Sequence, residues 1–490
     1  MTLSVGLGIA QSGLSVTADQ TAVVSRNVAN AGDPLASRKN ANVVTGPAGG
    51  VRLASITRVF NDALFKSVLS STSASSGQRS IVDALDFLDL TINDPELDAS
   101  PAALIAKFTA TLQQYAETPS NAVLARTAVS AAGDLALGLN SATQTVQQVR
   151  QQADDDMAAS VGRLNTLLSQ FETVNAAIVK GTRSGADVTD QLDARDRILT
   201  GIAEEVGVKM VARADGDMAL YTDSGVTLFD VRARTVTLDR TTAFTPGVAG
   251  SPVYIDGVPI TGNAGSMPAH AGRLVGLAAI RDDVAVAYQS QLDEIARGLI
   301  EAFAESDQSA VPSLSDVPGL FTYSGSPAMP AGGAIMDGLA GSIRISASVD
   351  PAQGGNPDLL RDGGISGNPA YIYNSGGAAG FQDRLNGLVD GILAGRSFDP
   401  AAQAGASGTL AGFASASVAW LQEERRSSGA EADYRVTLLE RSSQALSKVT
   451  GVNLDEEMTA LLELERSYQA SAKLIATIDS MLETLLAAVG

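Results

Sequence analysis

Proline marks where a chain cannot run on as helix, and long parts of this one carry none. No proline lies between Pro119 and Pro246, and none follows Pro400; twelve of the 17 fall from Pro246 to Pro400. A proline inside a helix removes a backbone donor and clashes with the preceding turn. The flanks can therefore hold helices of many turns, and the centre is expected to be strands and loops.

Apolar spacing fills in the flanks. Leu3, Leu7, Ala10, Leu14, Thr17, Thr21, Val24 and Val28 alternate steps of four and three, which draws one stripe along a helix. Asn30, Gly32, Asp33 and Pro34 end it. At the other end Leu461, Leu464, Tyr468, Ser471, Ile475, Ile478, Leu482, Leu485 and Val489 repeat the pattern. Ser100 followed by Pro101 reads as an N-cap with proline in the first helical position, opening a helix to about Tyr115. The longest periodic stretch runs from Leu135 through Val146, Met157 and Phe171 to Ile178, about 65 Å at the helical rise. Further helices are predicted from Arg273 to Leu299 and from Thr409 to Val449. Narrow seams must pack on one another, which predicts an elongated antiparallel bundle.

The centre reads as β. Val208–Arg213 and Met218–Thr222 flank an Asp215–Gly216 turn, and Val253–Ile255 and Val258–Ile260 flank Asp256–Gly257. Val226–Val231, Val236–Asp239 and the alternation Ile343, Ile345, Ala347, Val349 add strands. The glycine-rich stretches 325–333 and 354–367 read as loose linkers, and residues 310–375 as an exposed insertion that a short linker could replace.

Composition then removes whole classes of chemistry. A net charge of −20 argues against a nucleic-acid partner, since phosphate binding needs lysine and arginine. With no cysteine and one histidine there is no Cys/His zinc site, and any Ser–His–Asp triad would need His270. His270 precedes a helix and reads as a loop residue. Asp154, Asp155 and Asp156 fall on one helix, where consecutive residues diverge, and read as a solvated face. No nucleophile elbow or phosphate loop stands in the chain, so no catalytic, cofactor-binding or metal residue is assigned. No uninterrupted apolar run reaches about 18 residues, so no membrane span is expected. No basic residue precedes Arg26, so no cleaved secretory signal is expected. Two rival classes remain: a secreted enzyme with a carboxylate pair in 207–404, and a membrane-active translocator, which would need apolar arms of about 20 residues.

The two ends carry opposite charge. Residues 1–60 hold five basic and two acidic side chains, residues 451–490 two basic and seven acidic. Neither end helix can bury enough to stand alone, so pairing of the ends is expected.

These features resemble a known family. Ser25-Arg-Asn-Val-Ala-Asn30 resembles the Asn-Ile-Ala-Asn segment of the rod, hook and hook-associated axial proteins of the bacterial flagellum. Asp33-Pro-Leu-Ala-Ser-Arg38 keeps the proline of the following loop and loses its Gly-Tyr. Thr450-Gly-Val-Asn-Leu-Asp-Glu-Glu457, Tyr468-Gln-Ala-Ser-Ala-Lys473 and Thr477-Ile-Asp-Ser-Met-Leu482 are similar to the members at the first hook–filament junction. So are Leu192-Asp-Ala-Arg-Asp-Arg-Ile198, Gly272-Arg-Leu-Val-Gly-Leu and Arg281-Asp-Asp. The hook protein and the second junction protein are the nearest alternatives.

The resemblance implies a mainly α, elongated, multi-domain axial protein with a β-rich insertion. Its parts would be a terminal coiled coil (1–40 with 450–490), an antiparallel helical bundle (41–206 with 272–306 and 405–449) and an outer β-rich domain (207–271 with 307–404). It implies a secreted structural subunit without catalysis or cofactor, exported without a cleaved signal, at the hook–filament junction and required for filament assembly. Partners would be further copies in a tubular helical array, the hook protein, the second junction protein and an export chaperone on the C-terminal helix, with neither nucleic acid nor membrane. The implied assembly surface comprises Leu3, Leu7, Leu14, Val24, Asn27, Val28 and Asn30 at one end. At the other it comprises Leu461, Leu464, Tyr468, Ile475, Ile478, Leu482, Leu485 and Val489.

Overall fold

The computed structural model describes residues 3–33, 35–46, 49–93, 98–262, 265 and 267–489. Pro34, in the loop that keeps the family's proline, lies outside them. Helix α1 (Leu3–Asn30) leads into an antiparallel ribbon, β1 (Lys39–Thr45) and β2 (Val51–Arg58). Four helices follow: α2 (Asp62–Ile92), α3 (Pro101–Glu117), α4 (Ala122–Ser184) and α5 (Thr189–Glu205). Two three-stranded antiparallel sheets come next. The first is β3 (Val208–Ala212), β4 (Met218–Thr222) and β5 (Thr227–Phe229); the second is β6 (Val236–Leu238), β7 (Val253–Ile255) and β8 (Val258–Pro259). Helices α6 (Arg273–Ala279) and α7 (Ala285–Ala302) are joined by a π-turn over Ile280–Val284. Short pieces follow: β9 (Phe321–Thr322), α8 (Leu339–Ser342), β10 (Arg344–Ile345), α9 (Leu359–Asp362), α10 (Asp383–Leu393), β11 (Arg396–Ser397) and β12 (Ser407–Gly408). The chain closes with α11 (Leu410–Thr450) and α12 (Leu454–Val489).

Helix α4 is the spine. Its 63 residues span about 95 Å, and its apolar face is buried from Ala125 to Ile178. Asn121 caps its start and left-handed Gly185 its end. By length and composition one window of α4 is apolar enough to cross a membrane, and much of that window is buried against the neighbouring helices, as in a core helix. Helices α3, α5, α6 and α7 and the first sheet lie against it. Ser100 accepts from Ala103 N at 3.2 Å and caps α3 as predicted.

Three differences from the sequence reading have physical causes. First, α2 escapes apolar periodicity because it is rich in serine. Ser67 and Ser71 pack on Ser442 of α11 through hydroxyls at 3.2 and 3.3 Å. Second, Asp154 is not solvated. It is fully buried and paired with Arg281 of the π-turn, itself fully buried, at 2.5 Å. Arg281 also donates to Ser251 O, and its own carbonyl accepts from buried Arg150 at 2.8 Å. These two guanidiniums clamp the loop ahead of β7 onto the spine.

Third, residues 307–404 are held mainly by turns and short helices, not strands. Only Arg344–Ile345 of the predicted 343–349 strand pairs. Residues 354–367 are packed rather than loose, with Leu360 and Ile365 buried and Arg361 donating to Pro119 O at 3.0 Å. Phe321 stacks edge-on against Phe108 and Phe303, at ring distances of 5.7 and 5.3 Å. Gly338 N and Ala340 N donate to buried Asp293 of α7. The segment finishes the bundle's core.

The Gly272-Arg-Leu-Val-Gly motif has a steric reason. Gly276 faces Gly77 of α2 so closely that a Cβ on it would lie 2.1 Å from Gly77 O. Gly272 adopts φ +108°, and a Cβ there would meet Val206 at 2.5 Å. Gly276→Val is expected to prise α2 from α6 and cost about 1–3 kcal/mol or more, read as a lower thermal midpoint. Gly429→Ala, which faces open space in α11, should leave the midpoint unchanged or slightly raised.

Candidate assembly interface

The two ends of the chain pair as antiparallel helices. A Cβ on Gly6 would sit 3.6 Å from Ile478 Cδ1, and one on Gly13 3.6 Å from Ser471 Oγ. Asn27 meets Glu457. Steps of seven on α1 thus match steps of seven in the opposite direction on α12, as two coiled helices require. Gly6, Gly13 and Asn27 of α1 therefore lie against α12. Glycine lets the backbones close in but gives no hydropathy signal, so Gly6 and Gly13 were absent from the stripes read from sequence, of which Ala10 and Thr17 are buried and Ser471 and Ile478 face these glycines.

Where the helices enter the bundle, polar side chains make a clasp. Asn27 is buried; its amide donates to Lys39 O and to Glu457 Oε2, both at 2.9 Å, and its oxygen accepts from Lys39 N at 2.9 Å. Glu457 is 1% exposed. Arg38 Nε lies 2.7 Å from Glu457 Oε1, off the line of its N–H, as an ion pair rather than a directed hydrogen bond. Arg38 also pairs with Glu456 at 2.7 Å, and its backbone N donates to Thr450 O at 2.8 Å. Asn453 accepts from Asp455 N and starts α12. The two motifs that carry the family resemblance, Asn27 to Asn30 and Thr450 to Glu457, thus meet in space. Buried charge of this kind needs every partner, because removing one leaves the other desolvated.

A second polar cluster ties the β1–β2 ribbon to α5. Lys39 pairs with Asp190 and Asp193, and Arg58 with Asp193 at 3.2 Å and Asp196 at 2.5 Å. Ser37 donates to Asp193 at 2.6 Å. Burial pushes the Asp196 carboxyl up, against the pull of Arg58. Burial also brings the neighbouring Arg195 guanidinium down to about 10, with Asp196 pulling the other way. Burial works to raise Asp187, but hydrogen bonds from Thr189 and the charge of Arg26 outweigh it and hold the carboxyl below its usual range. The Leu192–Ile198 motif is this cluster. It was visible in the sequence as a motif, whereas its partners were not, because the ribbon carrying Lys39 and Arg58 went unpredicted.

The residues assigned from sequence divide by exposure. Leu3, Leu7, Leu14, Val24 and Val28 are half-buried, as are Leu461, Leu464, Ile475 and Leu482. Asn27 and Ile478 are buried, and Asn30 is exposed. Tyr468 is 47% and Leu485 52% exposed; Val489 ends α12, with its side chain outside the described residues. Val16 and Val23, which the sequence reading omitted, are the most deeply covered apolar residues of α1, where the ribbon also lies against that helix. Leu454, Leu474 and Met481 are each about half exposed. Apolar rows therefore flank both sides of the α1–α12 contact. His270 is exposed, with its backbone N donating to Asp223.

The pair rests on one narrow contact, so fast amide exchange is expected along α12 beyond about residue 460 in the isolated chain. Exchange measured at micromolar concentration checks this; strong protection there would contradict it.

A family model described as the flagellar hook-associated protein FlgK helical domain matches residues 88–318. A second, the flagellar basal body rod FlgEFG protein C-terminal, matches residues 443–488. Flagellar hook-associated protein 1 of Bacillus subtilis (strain 168) is 21% identical over 523 aligned residues, covering 99% of this chain and 98% of that protein. Along nearly its whole length the chain is similar to hook-associated protein 1. Among solved structures, the flagellar hook junction protein FlgK from Burkholderia pseudomallei is similar at 21% identity and a TM-score of 0.41. That match covers 53% of this chain and 46% of that one, about half the solved protein's length. The family's helical-domain match spans α3, α4 and α5, the π-turn and both small sheets. The rod-type match spans the end of α11 and nearly all of α12, the half of the clasp that holds Glu457.

Proposed function

We propose that this hook-associated protein is a structural subunit of the flagellum at the junction between hook and filament, and that filament growth requires it. The observation that carries the reading is the Asn27–Glu457 clasp. It folds the two ends on each other and leaves apolar rows of α12 in solvent, on a helix pair too thin to be stable by itself. Further copies of the chain, arranged as a tube, complete those rows. Residues 1–40 with 450–490 form the inner layer, and 41–206 with 272–306 and 405–449 the bundle around it. Residues 307–404 complete the core of that bundle, and 207–271 face outward with them. The hook protein lies below and the second junction protein above. Before assembly an export chaperone covers the apolar rows of α12, and the chain leaves the cell without losing a segment. Its work is mechanical, with no catalytic step. A strain lacking the gene tests this by electron microscopy. Bare hooks with flagellin shed into the medium are expected; hooks that still carry filaments would overturn the reading.

A further inference from the structure

Helices α2, α4 and α6 enclose an open cleft of about 420 Å³ well away from the terminal pair. Its floor includes Phe87, Leu277 and Ile280, and Phe87 is 46% exposed. Leu90, 66% exposed, continues the same face of α2 one turn on. The rim carries two free carboxylates, Asp83 and Asp156, both exposed and neither with an ion-pair partner among the described residues; Arg273, the cation that also lines the cleft, is paired with Glu205 at 3.8 Å. An exposed apolar floor rimmed by charged side chains is a surface that can receive a partner.

Elsewhere the chain presents the complement. Val231, at the corner after β5, is 78% exposed. Beside it stand Arg232 and, across a neighbouring groove, Lys180; both are exposed and neither has an ion-pair partner among the described residues. The carboxylates lining that groove, Glu172, Asp217 and Asp230, are engaged by Ala233 N, Asn175 and Arg213, so in a chain of net charge −20 the tip keeps two free cations beside an apolar residue. The two patches sit at different levels of the spine. The cleft is lined by α4 residues from Gln148 to Asp156, the corner by α4 residues from Glu172 to Arg183. They are about 40 Å apart along the helix and, at 3.6 residues per turn, on roughly opposite sides of it. One copy therefore cannot bring its own corner to its own cleft. Two complementary patches on opposite sides make a head-to-tail contact that propagates.

We propose that adjacent copies of this chain meet through this pair, the Val231–Arg232 corner of one seated in the α2–α4–α6 cleft of the next. The inference rests on the reading that copies of the chain form an array, and adds a lateral contact in the bundle, outside the terminal helices.

The chain has no cysteine, so introduced thiols report without background. Full-length Val231→Cys/Phe87→Cys is expressed in a deletion strain, and isolated flagella are treated with a short bis-maleimide and blotted for the chain. A ladder of dimer, trimer and higher species is expected from the double variant and none from either single one. Arg232→Cys/Asp83→Cys, both at exposed positions, gives the same ladder if Phe87→Cys disturbs folding. Arg232→Glu added to the first pair should cut ladder yield roughly two- to fivefold, and Asp83→Arg should restore it. If both cysteine variants are incorporated into flagella and neither ladders, this contact is wrong while the array reading stands. If the wild-type chain itself is absent from isolated flagella, the array reading falls and this inference with it.

Discussion

A chain carrying Tyr468→Asp and Leu485→Asp is expected to fold, to be exported and to leave the cell unable to swim. Both side chains are about half exposed in the isolated chain, so a carboxylate at either position stays hydrated and costs little there. In the proposed array the same positions lie between copies. A carboxylate buried without a partner costs several kcal/mol, and the penalty recurs at every subunit. Circular dichroism of the purified variant, a blot of the culture medium and swimming in soft agar separate folding, export and assembly. Wild-type swimming would reject the packing role of these rows.

Replacing residues 310–375 by a short Gly/Ser linker is expected to collapse the bundle, the reverse of what composition suggested. Glycine and proline there mimic a tolerant insertion, but the side chains between them reach inward. Leu320, Phe321, Leu339, Ile343, Val349 and Leu360 are all buried. Removing them would expose Phe108 and Phe303 on α3 and at the end of α7, and would leave Asp293 buried without the backbone donors of Gly338 and Ala340. Phe321→Ala alone should cost about 3–5 kcal/mol. Thermal unfolding of the single variant and solubility of the replacement check this. A replacement that stays soluble with an unchanged midpoint would show that the segment is an appendage after all.

What the sequence disclosed follows the physics of its signals. Helix α4 was legible because one apolar face repeats over many turns, and the β3–β4 and β7–β8 hairpins because Asp-Gly sits between alternating strands. Helix α2 was not, because serine hydroxyls and the glycine contact at Gly77 do the packing there. The β1–β2 ribbon was not, because its strands are mostly exposed and β1 carries Asn40 and Asn42. The π-turn leaves no mark on periodicity, and the Asp154–Arg281 pair joins residues 127 positions apart. At the end helices the apolar stripes were legible from their spacing, but Val16 and Val23, which are buried under the ribbon side of α1, were not. Gly6, Gly13 and the partners of Asn27 were not legible either, since glycines and buried polar clasps look like surface in a hydropathy pattern. The motifs carried that information only as resemblance; the geometry supplies its reason.

The central claim is that the exposed apolar rows of α12 are completed by other copies of the chain. Single cysteines at Tyr468 and Leu485, introduced one at a time into a chain that has none, measure this directly. Maleimide labelling of each is compared between the purified chain and isolated flagella, with the unfolded chain as the full-access reference. The account predicts labelling near the reference in the purified chain and strong protection in flagella. Equal labelling in both states would show that these rows remain in solvent after assembly and would contradict it.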